Sequence, residues 1–192
     1  MPVLDPLQGG FAERLQQRIA HSQSLLFVGL DPNPELLPAH LRESVETASL
    51  IDRLWDWMQE VILATVDGVC AYKPTLGFYE ALGGAGIDLL QRVIAIIPPH
   101  IPIILDAKHG DLNTSSVFAQ TVFEQWRVDA VTLNPYAGQD HSAPFLVYPG
   151  RAAFILCCTS NPAASGLQAF PNAEMPLYLQ VVKEAQTWGT PE

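Results

Sequence analysis

Ile101–Asn113 reads IPIILDAKHGDLN: an apolar run, Ile101–Leu105, followed at once by Asp106, Lys108 and Asp111. Short continuous apolar runs of this kind, bounded by polar and turn residues, are what strands buried on both faces of a parallel sheet look like in sequence. Four more runs share the pattern: Leu25–Leu30 (LLFVGL), Gly68–Tyr72 (GVCAY), Ala130–Leu133 (AVTL) and Ala153–Cys158 (AFILCC). Between them lie segments with helical spacing. Leu41–Val66 places Leu50, Leu54, Trp57, Val61 and Ala64 on one stripe, which predicts one or two helices. Tyr79–Ile97 is helical with a break at Gly83–Gly84 and a stop at Pro98–Pro99. Ser115–Trp126 follows Asn113 and Thr114, both able to cap it, and Leu177–Trp188 forms a last helix. Gly138–Pro149 is short and turn-rich, a weak helix signal.

Five strand-then-helix repeats give an α/β class built from right-handed βα units. Two closures fit, a doubly wound open sheet or part of an eight-stranded barrel. The first strand is followed by VGLDPNPEL, with proline where a GxGxxG turn needs glycine, so the dinucleotide-binding variant loses ground. The 192 residues suit one domain, 1–192, without internal repeat or linker. Apolar residues make up 48% and charged residues 16%, so a large core is available. A formal charge of −10 opposes nucleic acid and anionic membranes as partners. Cys70, Cys157 and Cys158 form no disulfide framework, and Asp5 and Glu13 interrupt any apolar leader; a soluble, cytoplasmic protein is expected.

Only three lysines occur, Lys73, Lys108 and Lys183, and two follow apolar strands directly. Every predicted strand ends in polar residues: Asp31, Lys73, Asp106 with Lys108, Asn134, and Thr159 with Ser160. In a barrel these converge on one rim. Any one of them could simply be a strand meeting solvent. LDAKHGDLN is denser than that explanation needs, since Asp106 and Lys108, two apart in an extended chain, point to one side. A structural ion-pair cluster is the plain reading, weakened by Lys73, which completes an alternation of Lys, Asp, Lys and Asp. A lysine flanked by carboxylates is held as the ammonium, a poor Schiff-base nucleophile and a well-positioned proton donor. An aldolase using Lys73 or Lys108 remains the alternative on strand-end pattern alone.

FVGLDPNPELLP, AYKPTLGFYEALGGAG, IILDAKHGDLNTSS, DAVTLNPYAGQD and ILCCTSNPAAS, in this order from Phe27 to Ser165, resemble orotidine 5′-phosphate decarboxylases, in particular the bacterial subgroup with longer helical insertions. The resemblance implies a (β/α)8 TIM barrel, of which this chain supplies about five βα units. It implies cofactor-free and metal-free conversion of orotidine 5′-phosphate to UMP. Lys73, Asp106, Lys108 and Asp111 fall on the family's charged tetrad, with Lys108 as proton donor to C6 of the pyrimidine. Asp111 would reach the partner's site in a homodimer. Asp31 falls on the ribose-hydroxyl ligand, Ser160 on a pyrimidine contact, and Ser115 on the position of a further substrate-binding threonine, with Thr114 just before it. The family's late strands and phosphate loop have no counterpart here, so an impaired fragment is the second expectation. His109 reads as an exposed loop histidine, Trp55 and Trp57 as packing residues, and the scattered histidines show no metal-ligand spacing.

Overall fold

In a computed structural model, describing residues 9–42 and 48–189, all five apolar runs contribute parallel strands. They are β1 (Phe27–Gly29), β2 (Ala71–Lys73), β3 (Ile104–His109), β4 (Ala130–Leu133) and β5 (Ala152–Ile155). β1 pairs with β2, β3 with β4, and β4 with β5. The bridges Tyr72↔Ile103 and Thr75↔Asp106 carry β2 onto β3, with Asp106 N–H donating to Pro74 O at 2.9 Å. Spatial order is therefore sequence order, 1-2-3-4-5, and this settles the choice of closure. A doubly wound sheet reverses direction at a switch point, whereas an unreversed parallel run is the wall of a barrel.

The connecting helices are α1 (Phe11–Ser22), α2 (Ala39–Arg42), α3 (Leu50–Thr65), α4 (Leu76–Glu80), α5 (Gly84–Ile96), α6 (Ser115–Gln120, continued by a π-helical turn to Gln125), α7 (Gln139–Leu146), α8 (Ser165–Gln168) and α9 (Leu177–Trp188). Of the expected helical stretch 41–66, residues 43–47 lie outside the described residues. Gly83, at φ 67°, makes the break between α4 and α5 in a conformation that costs glycine little. Ser49 caps α3, accepting from Asp52 N–H while Asp52 accepts from Ser49 N–H.

Strand periodicity divides the core into two layers. Tyr72, Leu105, Val131 and Leu133 face the helices, packing with Leu54, Met58, Ile62, Tyr79, Leu89, Leu90 and Phe145. Trp55 and Trp57 pack against this cluster, as expected. Ala71, Ile104 and Ala130 face the other way, onto Phe11 of α1, with Leu15 and Ala152 beside them. α1 thus covers the amino-terminal end of the concave face. Arg14 Nη2 donates to Asp129 Oδ1 at 2.6 Å, Arg151 Nη1 to the same oxygen at 2.8 Å, and Asp129 Oδ2 accepts from Ile103 N–H at 2.8 Å. Arg18 Nε donates to Val69 O at 2.8 Å.

Strand boundaries differ from expectation: β2 covers Ala71–Lys73 rather than Gly68–Tyr72, β3 starts at Ile104 rather than Ile101, and three further differences bear on the site or the sheet edges. β3 runs on through His109, so Asp106 and Lys108 stand within the strand rather than behind it. β5 ends at Ile155, leaving Cys157 and Cys158 in the following loop. β1 starts at Phe27, leaving Leu25 and Leu26 exposed. Nor are all strands buried on both faces: β1 and β5 are the outer strands, each paired on one side only among the described residues, and Phe27 and Phe154 are exposed.

Candidate active site

On the concave face, two residues along each strand from the apolar residues that meet α1, stand Lys73, Asp106 and Thr132. β-Alternation puts residues 71 and 73, 104 and 106, and 130 and 132 on the same side, so the layer above the α1 contact has to be filled by these three polar groups. Asp106 is their centre. Lys73 Nζ donates to Asp106 Oδ2 at 2.9 Å and to Thr75 Oγ1 at 3.1 Å. Lys108 Nζ lies 2.7 Å from both carboxylate oxygens, and Thr132 Oγ1 donates to Oδ1 at 2.7 Å. Burial alone would raise the Asp106 pKa, but the hydrogen bonds from Lys108, Lys73 and Thr132 outweigh it and hold the carboxyl at about 2.

Lys108 does not reach Asp106 by simple alternation. Its backbone has φ 46°, the left-handed region, at a register shift between Leu105 and His109. This bulge, fixed by Lys108 N–H donating to Thr132 Oγ1 at 2.9 Å, folds the ammonium back over the carboxylate two residues earlier. Thr132 therefore orients both partners, accepting from one backbone and donating to the other side chain. It went unnoticed as a site residue in AVTL; a lone hydroxyl in an apolar strand was the available signal.

The remaining expected residues are placed as follows. Asp31, following β1, accepts from Thr75 N–H at 3.0 Å, which ties it to the loop beyond Lys73. Asp111 has no contact with the lysines: its carboxylate accepts from Thr114 Oγ1 at 2.6 Å and from Asn113 N–H at 3.3 Å, and these bonds lower its pKa. Ser115 is 3% exposed and its hydroxyl donates to Leu112 O at 2.9 Å. Thr114, at the start of α6, gives its hydroxyl to Asp111 rather than capping the helix. Ser160 is exposed in the loop after β5, where Thr159 N–H and Gln168 Oε1 bond at 2.8 Å. His109 corrects the expectation of an exposed loop residue: it is in β3, half-buried, its ring 4.4 Å from Phe118 and hydrogen-bonded to His141. Among the described residues no group of three or more His, Cys, Asp or Glu side chains is placed to hold a metal ion. Nor is any described helix long and apolar enough to cross a membrane.

No protein-family model matches the chain. A protein of Nostoc sp. named bifunctional enzyme PyrF/PyrE is 64% identical over 182 residues, which cover 95% of this chain and 37% of that protein. Orotidine 5′-phosphate decarboxylase of Thermomicrobium roseum is 45% identical, over 93% of this chain and 63% of that protein. The solved structure of Leishmania donovani OMP decarboxylase superposes with a TM-score of 0.80 at 32% identity, over 94% of this chain and 66% of that one. The chain belongs to the orotidine 5′-phosphate decarboxylase family. It spans less than two thirds of the length of these relatives. Family membership accords with the unreversed strand order, because the likeness to the Leishmania structure extends over nearly the whole chain. The sheet seen here is thus five adjacent strands of a TIM-barrel wall, with the charge cluster at the carboxyl ends of β2, β3 and β4.

Proposed function

We propose that the charge cluster decarboxylates orotidine 5′-phosphate to UMP. The observation that carries this reading is the convergence of both lysines on one carboxylate, Asp106, at the barrel rim. In the reaction the C6–carboxylate bond breaks, CO2 leaves with neither electron of that bond, and the pair remains on C6. The Lys108 ammonium, held at 2.7 Å from Asp106, delivers its proton to that pair and regains one from solvent. Because charge develops at C6, a cation fixed there beforehand lowers the barrier without reorganising water. Lys73 holds the other side of Asp106 and fixes its carboxylate. Asp31 is the ribose-hydroxyl ligand and Ser160 a pyrimidine contact. Asp111, exposed and turned from its own cluster, serves the site of a second copy in a homodimer in the cytoplasm. No cofactor enters this scheme.

Following orotidine absorbance tests the proposal. Lys108→Ala abolishes turnover while the circular dichroism stays that of the parent; near-normal turnover in that variant overturns the role of Lys108. Among the described residues β1 and β5 are each paired on one side only, and a second reading is that the chain binds its substrate weakly. A Michaelis constant equal to that of a full-length relative refutes it. Schiff-base chemistry is separable, since both amines are engaged with Asp106: borohydride with a carbonyl substrate leaves the lysines unlabelled.

A further inference from the structure

The residue after Lys108 is held in a chain of side chains that the charge cluster does not explain. His109 Nδ1 lies 3.0 Å from His141 Nε2, and His109 Nε2 lies 3.3 Å from Thr114 Oγ1, which donates to Asp111 Oδ2 at 2.6 Å. The position of every proton follows from the far end. An ionised carboxylate only accepts, so Thr114 spends its single O–H on Asp111 and can only accept from His109. His109 therefore carries its proton on Nε2, leaving Nδ1 as an acceptor for the Nε2–H of His141. His141 is 0% exposed, and its Nδ1 has no hydrogen-bond partner among the described residues. Both rings are fixed by packing. His109 stacks on Phe118 at 12° and on His141 at 19°, with Phe145 against both.

We propose that His109 is a positioning residue: as the neutral Nε2–H tautomer that Thr114 and Asp111 require, it holds Thr114, and through it the Asp111 carboxylate, in place. The role rests on the decarboxylase reading only for what Asp111 does; the hydrogen-bond chain stands apart from it. A second proton on His109 puts an N–H at Nδ1, which His141 can accept only by moving its own proton to its other ring nitrogen, so protonation forces the pair to rearrange. The surroundings keep that proton off. Burial, and after it the neighbouring imidazole, push the His109 pKa below the ordinary histidine value, with Asp111 opposing; burial does the same to His141. The groups facing the pair are Asp111 from the loop, the Phe118 ring from α6, the Phe145 ring from α7, and Lys108, whose ammonium is turned onto Asp106. Asp140, next to His141, is exposed.

Three variants and two readouts test this. In the 15N spectra of the imidazoles of the whole chain, His109 and His141 are both neutral Nε2–H tautomers at pH 7, and His109 titrates below an ordinary histidine. A carboxamide carries an acceptor and a donor on one carbon as imidazole does, so His109→Gln keeps the chain and removes the titration. It retains turnover within about threefold at pH 7.5, and its acid limb retreats to the carboxylate range. His109→Phe, which keeps the stacking and loses both hydrogen bonds, drops kcat about tenfold or more, the scale of a misplaced reacting group. His141→Leu removes the donor to His109 Nδ1 but leaves Thr114 able only to accept, so the His109 proton is expected to stay on Nε2. A His109 proton found on Nδ1 in the parent overturns the proposal, as does equal activity of the Phe and Gln variants with an unchanged acid limb. A parent chain without turnover counts against the decarboxylase reading, and the tautomer measurement then decides the histidine pair by itself.

Discussion

Asp106→Asn measures how much the charge cluster contributes to the fold. The Asp106 carboxyl has an ordinary pKa of 3.8 and is held at about 2 in the folded chain. At about 1.4 kcal/mol per unit, this difference makes the ionised, fully hydrogen-bonded carboxylate worth about 2 kcal/mol of stability. Its side chain is only 11% exposed, so solvent screens little of this. The sign follows from the depressed value: the contribution is complete above pH 4 and is lost as pH falls through about 2. Asparagine keeps the shape and removes the charge. Both ammonium nitrogens touch Oδ2, at 2.9 and 2.7 Å, so they lie within 5.6 Å of each other. At an effective dielectric near 20 their repulsion is roughly 3 kcal/mol, reduced because the lysine side chains are 34% and 49% exposed and can swing outward. Urea unfolding of parent and variant, at a series of pH values, checks the estimate. At pH 7 the variant is expected to be less stable by about 2 kcal/mol, and near pH 2 the gap should shrink to on the order of 0.5 kcal/mol. All other carboxylates titrate alike in both proteins and cancel from the comparison. A gap that is absent at pH 7, or constant over the whole range, would refute the reasoning.

At the other end of the sheet, Asp129→Ala leaves Arg14 and Arg151 without their shared carboxylate and Ile103 N–H without an acceptor, and is expected to cost about 3 kcal/mol in urea unfolding. A loss below about 1 kcal/mol would mean that α1 is not held by this cluster. At the left-handed Lys108 the usual order of substitutions reverses: Lys108→Gly should unfold at a urea midpoint no lower than Lys108→Ala, although glycine inside a strand or helix is ordinarily the worse by roughly 0.5–1 kcal/mol. An alanine variant more stable by that usual margin would show that the bulge is absent in solution.

How much of this was legible in sequence depends on whether the deciding contact repeats along the chain. Apolar runs repeat, so all five strands and the last helix, Leu177–Trp188, could be read directly. α1 could not, because the side chains it buries are Phe11, Arg14 and Arg18, and two of three are cations satisfied by a carboxylate and a carbonyl far along the chain. Gly138–Pro149 looked turn-rich, yet α7 forms there, its His141, Ser142 and Phe145 buried against neighbours that no periodic pattern announces. At the site, the structure brings Lys73, Asp106 and Lys108 together, though not by the alternation that the sequence suggests. Simple alternation places Lys108 beside Asp106 in an ideal strand; the actual contact needs a left-handed residue and the Thr132 hydroxyl on the adjacent strand.

The same distinction explains why Asp111 stands apart from the other three. Alternating charges in six residues suggested one cluster, but the strand ends at His109, and beyond it the chain turns under local control. There the nearest donors to Asp111 are Asn113 N–H and the Thr114 hydroxyl, two and three residues away, and such short-range bonds form at less entropic cost than a reach back to Lys108. An exposed carboxylate already supplied with two donors has no need of a lysine in its own chain. That leaves it exposed beyond β3, in a loop tied to the strand by the contact of Thr114 with His109 and of His109 with His141.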